Sequence, residues 1–192
     1  MMARRVLAGL LAAVAAGALV GCSNGGTKFD WRSSCATTPE GVVQCPPDKR
    51  PAPTPISGEL LNGGSYDVQQ DRGNVVVVNF WGSWCAPCRA EADDLESTYQ
   101  ATKAAGVRFL GVNTQDGRDN ARAFERGRLT YPSLYDPGSK VALGFQVPPN
   151  ATPATVVLDR AGRIAVVIRK PVRAEDLRPI VDRIAAEPPS GT

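Results

Sequence analysis

Val75-Val76-Val77-Val78-Asn79-Phe80-Trp81-Gly82-Ser83-Trp84-Cys85-Ala86-Pro87-Cys88 is the stretch on which the fold turns. Its first seven residues are β-branched, apolar or aromatic except for Asn79, and such a run marks a central strand buried on both faces. A helical stretch from about 87 to 105 follows, with Ala92, Leu95 and Tyr99 on one face and Gly106 as its stop. The two cysteines therefore sit in the first turn of a helix. Unpaired backbone N–H groups and the helix dipole favour negative charge there. The spacing predicts an exposed, nucleophilic Cys85 of low pKa, with Cys88 one turn deeper, more buried and suited to resolving a mixed disulfide. Pro87 has no N–H to waste in a first turn and stiffens the small ring that a Cys85–Cys88 disulfide would close.

Downstream, residues 107–113 read as a second strand, 119–126 as a helix with Ala121 and Phe124 inward, and 139–145 as a shorter helix. Strands at 155–158 and 164–168 flank Asp159-Arg160-Ala161-Gly162, a turn sequence, and form an antiparallel hairpin. A last helix from about Ala174 carries Leu177, Ile180, Val181 and Ile184 at helical spacing; Pro179 inside it argues for a late start or a kink. This order makes an α/β sandwich around a mixed sheet.

Upstream, Arg4-Arg5, an apolar run over 6–20 and Gly21-Cys22 have the layout of a secretory signal. The run is shorter than the roughly 20 residues that span a bilayer. Leu19-Val20-Gly21-Cys22 resembles the bacterial lipobox, which implies cleavage before Cys22 and a lipid on its thiol. The alternative is an ordinary cleavable signal, with Cys22 left for a disulfide. A lipidated chain is anchored on the membrane surface, here the outer face of a bacterial cytoplasmic membrane. Export exposes the thiols to oxidising conditions, and Cys35 and Cys45 then read as a structural disulfide worth about 2–3 kcal/mol. A second redox pair is the other reading, but nothing near it activates a thiolate. Residues 46–55 hold five prolines and read as a stiff spacer. The expected organisation is a signal peptide at 1–21, a Cys-containing segment and Pro-rich linker at 22–55, a folded domain at 56–187 and a tail at 188–192.

Composition narrows the chemistry. With 22 Lys+Arg against 19 Asp+Glu, and Arg4 and Arg5 in the signal, the 192-residue chain offers no basic surface for nucleic acid. The absence of His removes Ser-His-Asp and Cys-His catalysis and His-ligated metals. A zinc site on Cys85 and Cys88 needs two more ligands, and Cys35 and Cys45 have the wrong spacing. No metal and no cofactor beyond a redox-active Cys85–Cys88 disulfide are expected.

The segment from Val77 to Phe80-Trp81, with Trp84-Cys85-Ala86-Pro87-Cys88-Arg89-Ala90-Glu91, resembles the active site of the thioredoxin superfamily. Within it, the segment is similar to the TlpA/ResA-like branch of membrane-tethered, extracytoplasmic thiol–disulfide oxidoreductases, a resemblance covering roughly 56–187. It implies a thioredoxin-like α/β/α sandwich. Ala151-Thr152-Pro153-Ala154-Thr155 is similar to the superfamily's cis-proline loop, which implies a cis Thr152–Pro153 bond facing the thiols. Thr152 would then offer backbone groups to an extended substrate strand. Trp84 reads as an exposed aromatic ledge beside Cys85, and Trp81 as core.

Thioredoxin itself has a buried Asp where this chain has Asn79, so that proton carrier is missing. Glu91 matches a carboxylate of the TlpA/ResA-like branch. It is expected to be partly buried, raised in pKa and able to shuttle the Cys88 proton; the plainer reading is a solvated helix carboxylate. Ala86-Pro87 supplies no cation to stabilise the thiolate strongly, which favours reduction over oxidation of substrates. The resemblance implies protein disulfide substrates, with apocytochrome c in cytochrome c maturation the candidate, and an integral-membrane thiol carrier as electron donor. Alternatives are a disulfide oxidase or general thiol-exchange enzyme, and a binding module with an inert disulfide. Nothing resembles a peroxidatic loop, and a copper chaperone is disfavoured by the missing His.

Overall fold

The apolar run becomes the middle of the sheet. In the computed structural model, which describes residues 34–51, 55–145 and 151–188, strand β5 (Val75–Trp81) is buried at every position. It pairs in parallel with β6 (Val107–Thr114) and antiparallel with β8 (Ala154–Leu158). A strand enclosed on both faces and both edges has no position for an exposed polar side chain, which is why its one polar residue, Asn79, must find partners inside.

Among the described residues the main sheet has seven strands in the order β1-β2-β9-β8-β5-β6-β7. The outer members are β1 (Ala36–Thr37), β2 (Val43–Gln44), β9 (Ile164–Ile168) and β7 (Ser133–Asp136). A separate hairpin joins β3 (Ser57–Glu59) to β4 (Ser65–Asp67). Alternate residues of β5 serve two cores. Val75 and Val77 face Leu95 of α1 (Ala86–Thr102) and Leu177, Val181 and Ile184 of α4 (Ala174–Ala185). Val76, Val78 and Phe80 face Phe145, Ile56 and Tyr66 on the other side, where Phe80 and Phe145 meet edge to face at 5.6 Å. Two shorter helices, α2 (Arg118–Glu125) and α3 (Lys140–Gly144), complete the mixed α/β architecture.

Several sequence expectations change. Residues 46–55 were expected to be a stiff spacer outside the domain. Instead 47–49 form a 3-10 turn and Arg50 is buried, donating to the Cys45 carbonyl at 3.3 Å and to Asp159 at 3.1 Å. The segment before it is also part of the fold: β2 pairs with β9, and Cys45 lies in the core with Val76, Leu158 and Ile164. The expected boundary near Ile56 is therefore not a packing boundary. Cys35 and Cys45 are bonded, with Cα atoms 4.4 Å apart. Helix α4 starts at Ala174 despite Pro179, so the late start is not seen; Leu177, Val181 and Ile184 bury its apolar face. The signal peptide at 1–21, Cys22 and the last four residues lie outside the described residues. No helix among the described residues is long and apolar enough to cross a membrane.

Candidate active site

A buried cluster closes over the end of β5. Trp81, Cys85 and Cys88 pack with Leu61 and Ala121, and Phe124 of α2 tilts onto the Trp81 ring at 5.4 Å. Gly82 and Ser83 turn the chain, and Cys85 takes the N-cap position of α1, with its sulfur accepting the backbone N–H of Cys88 at 3.2 Å. That N–H is one of the orphan donors of a helix N-terminus, so the sulfur caps the helix and sits in the positive end of its dipole. Pro87 occupies the first turn, where its missing N–H costs nothing. Cys85 and Cys88 are bonded, with Cα atoms 5.3 Å apart.

The expected exposure of Cys85 is not observed. In the bonded state it is 4% exposed, scarcely more than Cys88. The covering element comes from far along the chain: the Thr152–Pro153 peptide bond is cis, Pro153 is buried, and the Thr152 carbonyl oxygen lies 3.9 Å from the Cys85 sulfur. Trp84 is the exposed ledge, 49% open, with its indole N–H donating to the Thr114 carbonyl at 3.2 Å. Ser83 is held too, its N–H and hydroxyl both donating to Asp116, at 2.6 and 2.9 Å.

Glu91 lies one turn beyond Cys88 on the same helix and is 2% exposed, deeper than expected and far from a solvated surface position. One carboxylate oxygen accepts from Asn79 Nδ2 at 2.9 Å; the other accepts the Val172 backbone N–H at 2.9 Å. Burial pushes its pKa from 4.5 up to about 7; the two hydrogen bonds act the other way, and nearby Asp94 adds to the rise. A carboxyl balanced near neutrality can both take and return a proton. Cys88 and Glu91 fit a proton-coupled dithiol, and the described residues bring no three His, Cys, Asp or Glu together as a metal site.

Sequence reasoning missed the supporting shell. Asn79 stands out in the sequence only as the residue found where thioredoxin has a buried Asp, not as a donor to Glu91. Val172 acts through its backbone and leaves no trace in the sequence. Asp116 sits on a loop reached through Gln115, a non-glycine residue at φ 52°.

A model of the AhpC/TSA family matches residues 50–167. The chain is 31% identical over 125 residues to the thiol-disulfide oxidoreductase ResA of Geobacillus thermodenitrificans, covering 65% of this chain and 71% of that protein. It is 37% identical over 116 residues to the thiol:disulfide interchange protein HelX of Rhodobacter capsulatus, 59% of this chain and 62% of that one. Among solved structures it resembles a secreted thiol-disulfide isomerase of Corynebacterium glutamicum, with TM-score 0.74 and 33% identity over 80% of this chain and 98% of that one. A DsbF homologue of Corynebacterium diphtheriae matches with TM-score 0.71 and 33% identity over 78% and 98% of the two chains.

Proposed function

The chain belongs to the AhpC/TSA family and is a thiol–disulfide oxidoreductase, and from that premise we propose that it reduces protein disulfides outside the cytoplasm. The observation that carries this reading is the bonded Cys85–Cys88 pair at the mouth of α1, with Cys85 capping the helix.

In the reduced protein, the Cys85 thiolate attacks one sulfur of a substrate disulfide; a mixed disulfide forms and one substrate thiolate leaves. Cys88 gives its proton to Glu91, attacks the Cys85 sulfur and expels the second substrate thiolate. Two electrons pass to the substrate, whose thiolates take up protons, and the enzyme ends as the Cys85–Cys88 disulfide. Trp84, Pro87, Thr152 and cis-Pro153 border the pair and form the surface over which a substrate strand lies. A thiol donor must then return two electrons. An integral-membrane carrier fits a domain tethered through Cys22, and apocytochrome c is the candidate substrate. The signal-like residues 1–21 support export, and the lipobox-like 19–22 support the anchor.

Ala86 and Pro87 bring no cation to the thiolate, which favours reduction. A measured potential near about −250 mV supports the reductase, whereas one near about −120 mV makes the protein an oxidase or general exchange enzyme. Trapping decides the substrate. A Cys88→Ala variant should stall as a mixed disulfide on its natural partner, and Cys85→Ser should trap nothing. Recovery of many unrelated secreted proteins in place of apocytochromes would overturn the narrow assignment. An inert pair that turns over no model disulfide would leave only a binding module.

A further inference from the structure

Asn79 is the one polar side chain in β5, and its amide splits its two N–H groups between two elements. It donates to Glu91 Oε1 at 2.9 Å and to Thr155 Oγ1 at 3.2 Å, and Thr155 is its direct partner in the β5/β8 ladder. Glu91 Oε2 is held from the other side by the Val172 N–H, in the loop between β9 and α4. Each carboxylate oxygen thus has one fixed donor. The carboxylate cannot rotate without breaking a buried hydrogen bond, and an unmade one inside a protein is costly.

We propose that Asn79 is the positioning residue for proton transfer: anchored on Thr155, its amide aims the Glu91 carboxylate and keeps it ionisable beside Cys88. This rests on the reading above, in which Glu91 accepts the Cys88 proton. A donor to a carboxylate favours the charged form, so its removal makes Glu91 hold a proton more tightly and act as a base only at higher pH. The other groups that bear on Glu91 do not replace this donor. Asp94, on the same helix and bonded to the Ala174 N–H at 3.0 Å, adds negative charge. Tyr131, buried between α2 and β7, has its ionisation pushed up by burial and stays neutral. Lys170 and Arg173, on either side of Val172, face solvent.

The test is the pH dependence of the resolving step, read by stopped flow as breakdown of a mixed disulfide preformed between Cys85 and a small aromatic thiol. In the unsubstituted protein the rate should rise with pH through about 7. Glu91→Gln should flatten that limb. Asn79→Ala should move it about one pH unit upward, slowing resolution about tenfold on the acid side and restoring it at high pH. Thr155→Val keeps the volume of the site while freeing the Asn79 amide, and should move the limb the same way by a smaller amount, about threefold in rate. It also decides the matter should Asn79→Ala not fold. If Glu91→Gln leaves the limb in place, the proton-acceptor reading itself fails. If Glu91→Gln flattens it while both other variants that fold keep it, Asn79 is a bystander and only the present proposal is lost.

Discussion

The guanidinium of Arg50 forks onto the carboxylate of Glu187, at 2.6 and 2.7 Å, and joins the segment that follows Cys45 to the residues just beyond α4. The same guanidinium reaches Asp159 in the β8–β9 turn, so three distant parts of the sequence share one buried charge cluster. Bidentate geometry of this kind is specific to arginine.

Arg50→Ala should lower the unfolding free energy by about 3 kcal/mol, at the low end for a broken buried pair. Asp159 keeps Arg163 as a partner at 2.8 Å, which softens the loss. Urea unfolding of the oxidised protein measures it. A change below about 1 kcal/mol would show the cluster to be decorative.

Glu91 gives stability a pH slope. Its folded-state pKa of about 7 lies above the ordinary 4.5, so folding favours the protonated form. That contribution is complete below about pH 4.5 and is lost as pH rises through 7, a total of about 3 kcal/mol. Unfolding curves at a series of pH values should show it, and Glu91→Gln should remove the slope. An identical slope in the variant would mean another group is responsible.

Gly82 leaves room for the Trp84 indole: a Cβ there would collide with Trp84 Nε1 and lie 2.7 Å from Cε2. Gly82→Ala must push the ring off the loop and break its bond to Thr114. Reduction of a protein disulfide should slow severalfold, the scale of about 1 kcal/mol for a lost hydrogen bond. A small disulfide needs no ledge and should react at nearly the original rate. Equal losses for both substrates would mean that the thiols themselves had moved.

Replacing Cys35 and Cys45 together by Ser should cost about 2–3 kcal/mol of stability. Turnover of a model disulfide should be unchanged, because this pair lies at the opposite end of β5 from Cys85. Loss of activity in a folded double variant would point to electron relay between the two pairs.

Long, strongly patterned segments were legible in advance. Four consecutive valines dictated β5, and the spacing of Leu177, Val181 and Ile184 dictated α4 even across Pro179. Strands of four residues or fewer were not. Strand β7 is only Ser133–Asp136, and β3 and β4 have three residues each, too few to show a period. Strands β1 and β2 are ordered by the Cys35–Cys45 bond and by pairing with Val166 and Val167, causes that lie outside their own residues. At the site, spacing brought out Cys85 and Cys88, and the resemblance to the TlpA/ResA-like branch brought out Glu91. The resemblance also placed the cis Thr152–Pro153 loop over the thiols, but neither it nor spacing could reveal that the amide of Val172 grips Glu91, because that contact is made by backbone across the fold.

Strand direction carries one more consequence. The pairings from β1 through β2, β9 and β8 to β5 are all antiparallel, so β1 and β5 run the same way and the chain enters β1 at the pole remote from Cys85. A tug from upstream of Cys35 therefore arrives at the back of the molecule. The Cys35–Cys45 bridge passes that load straight into the sheet, at the end of β5 away from the thiol pair.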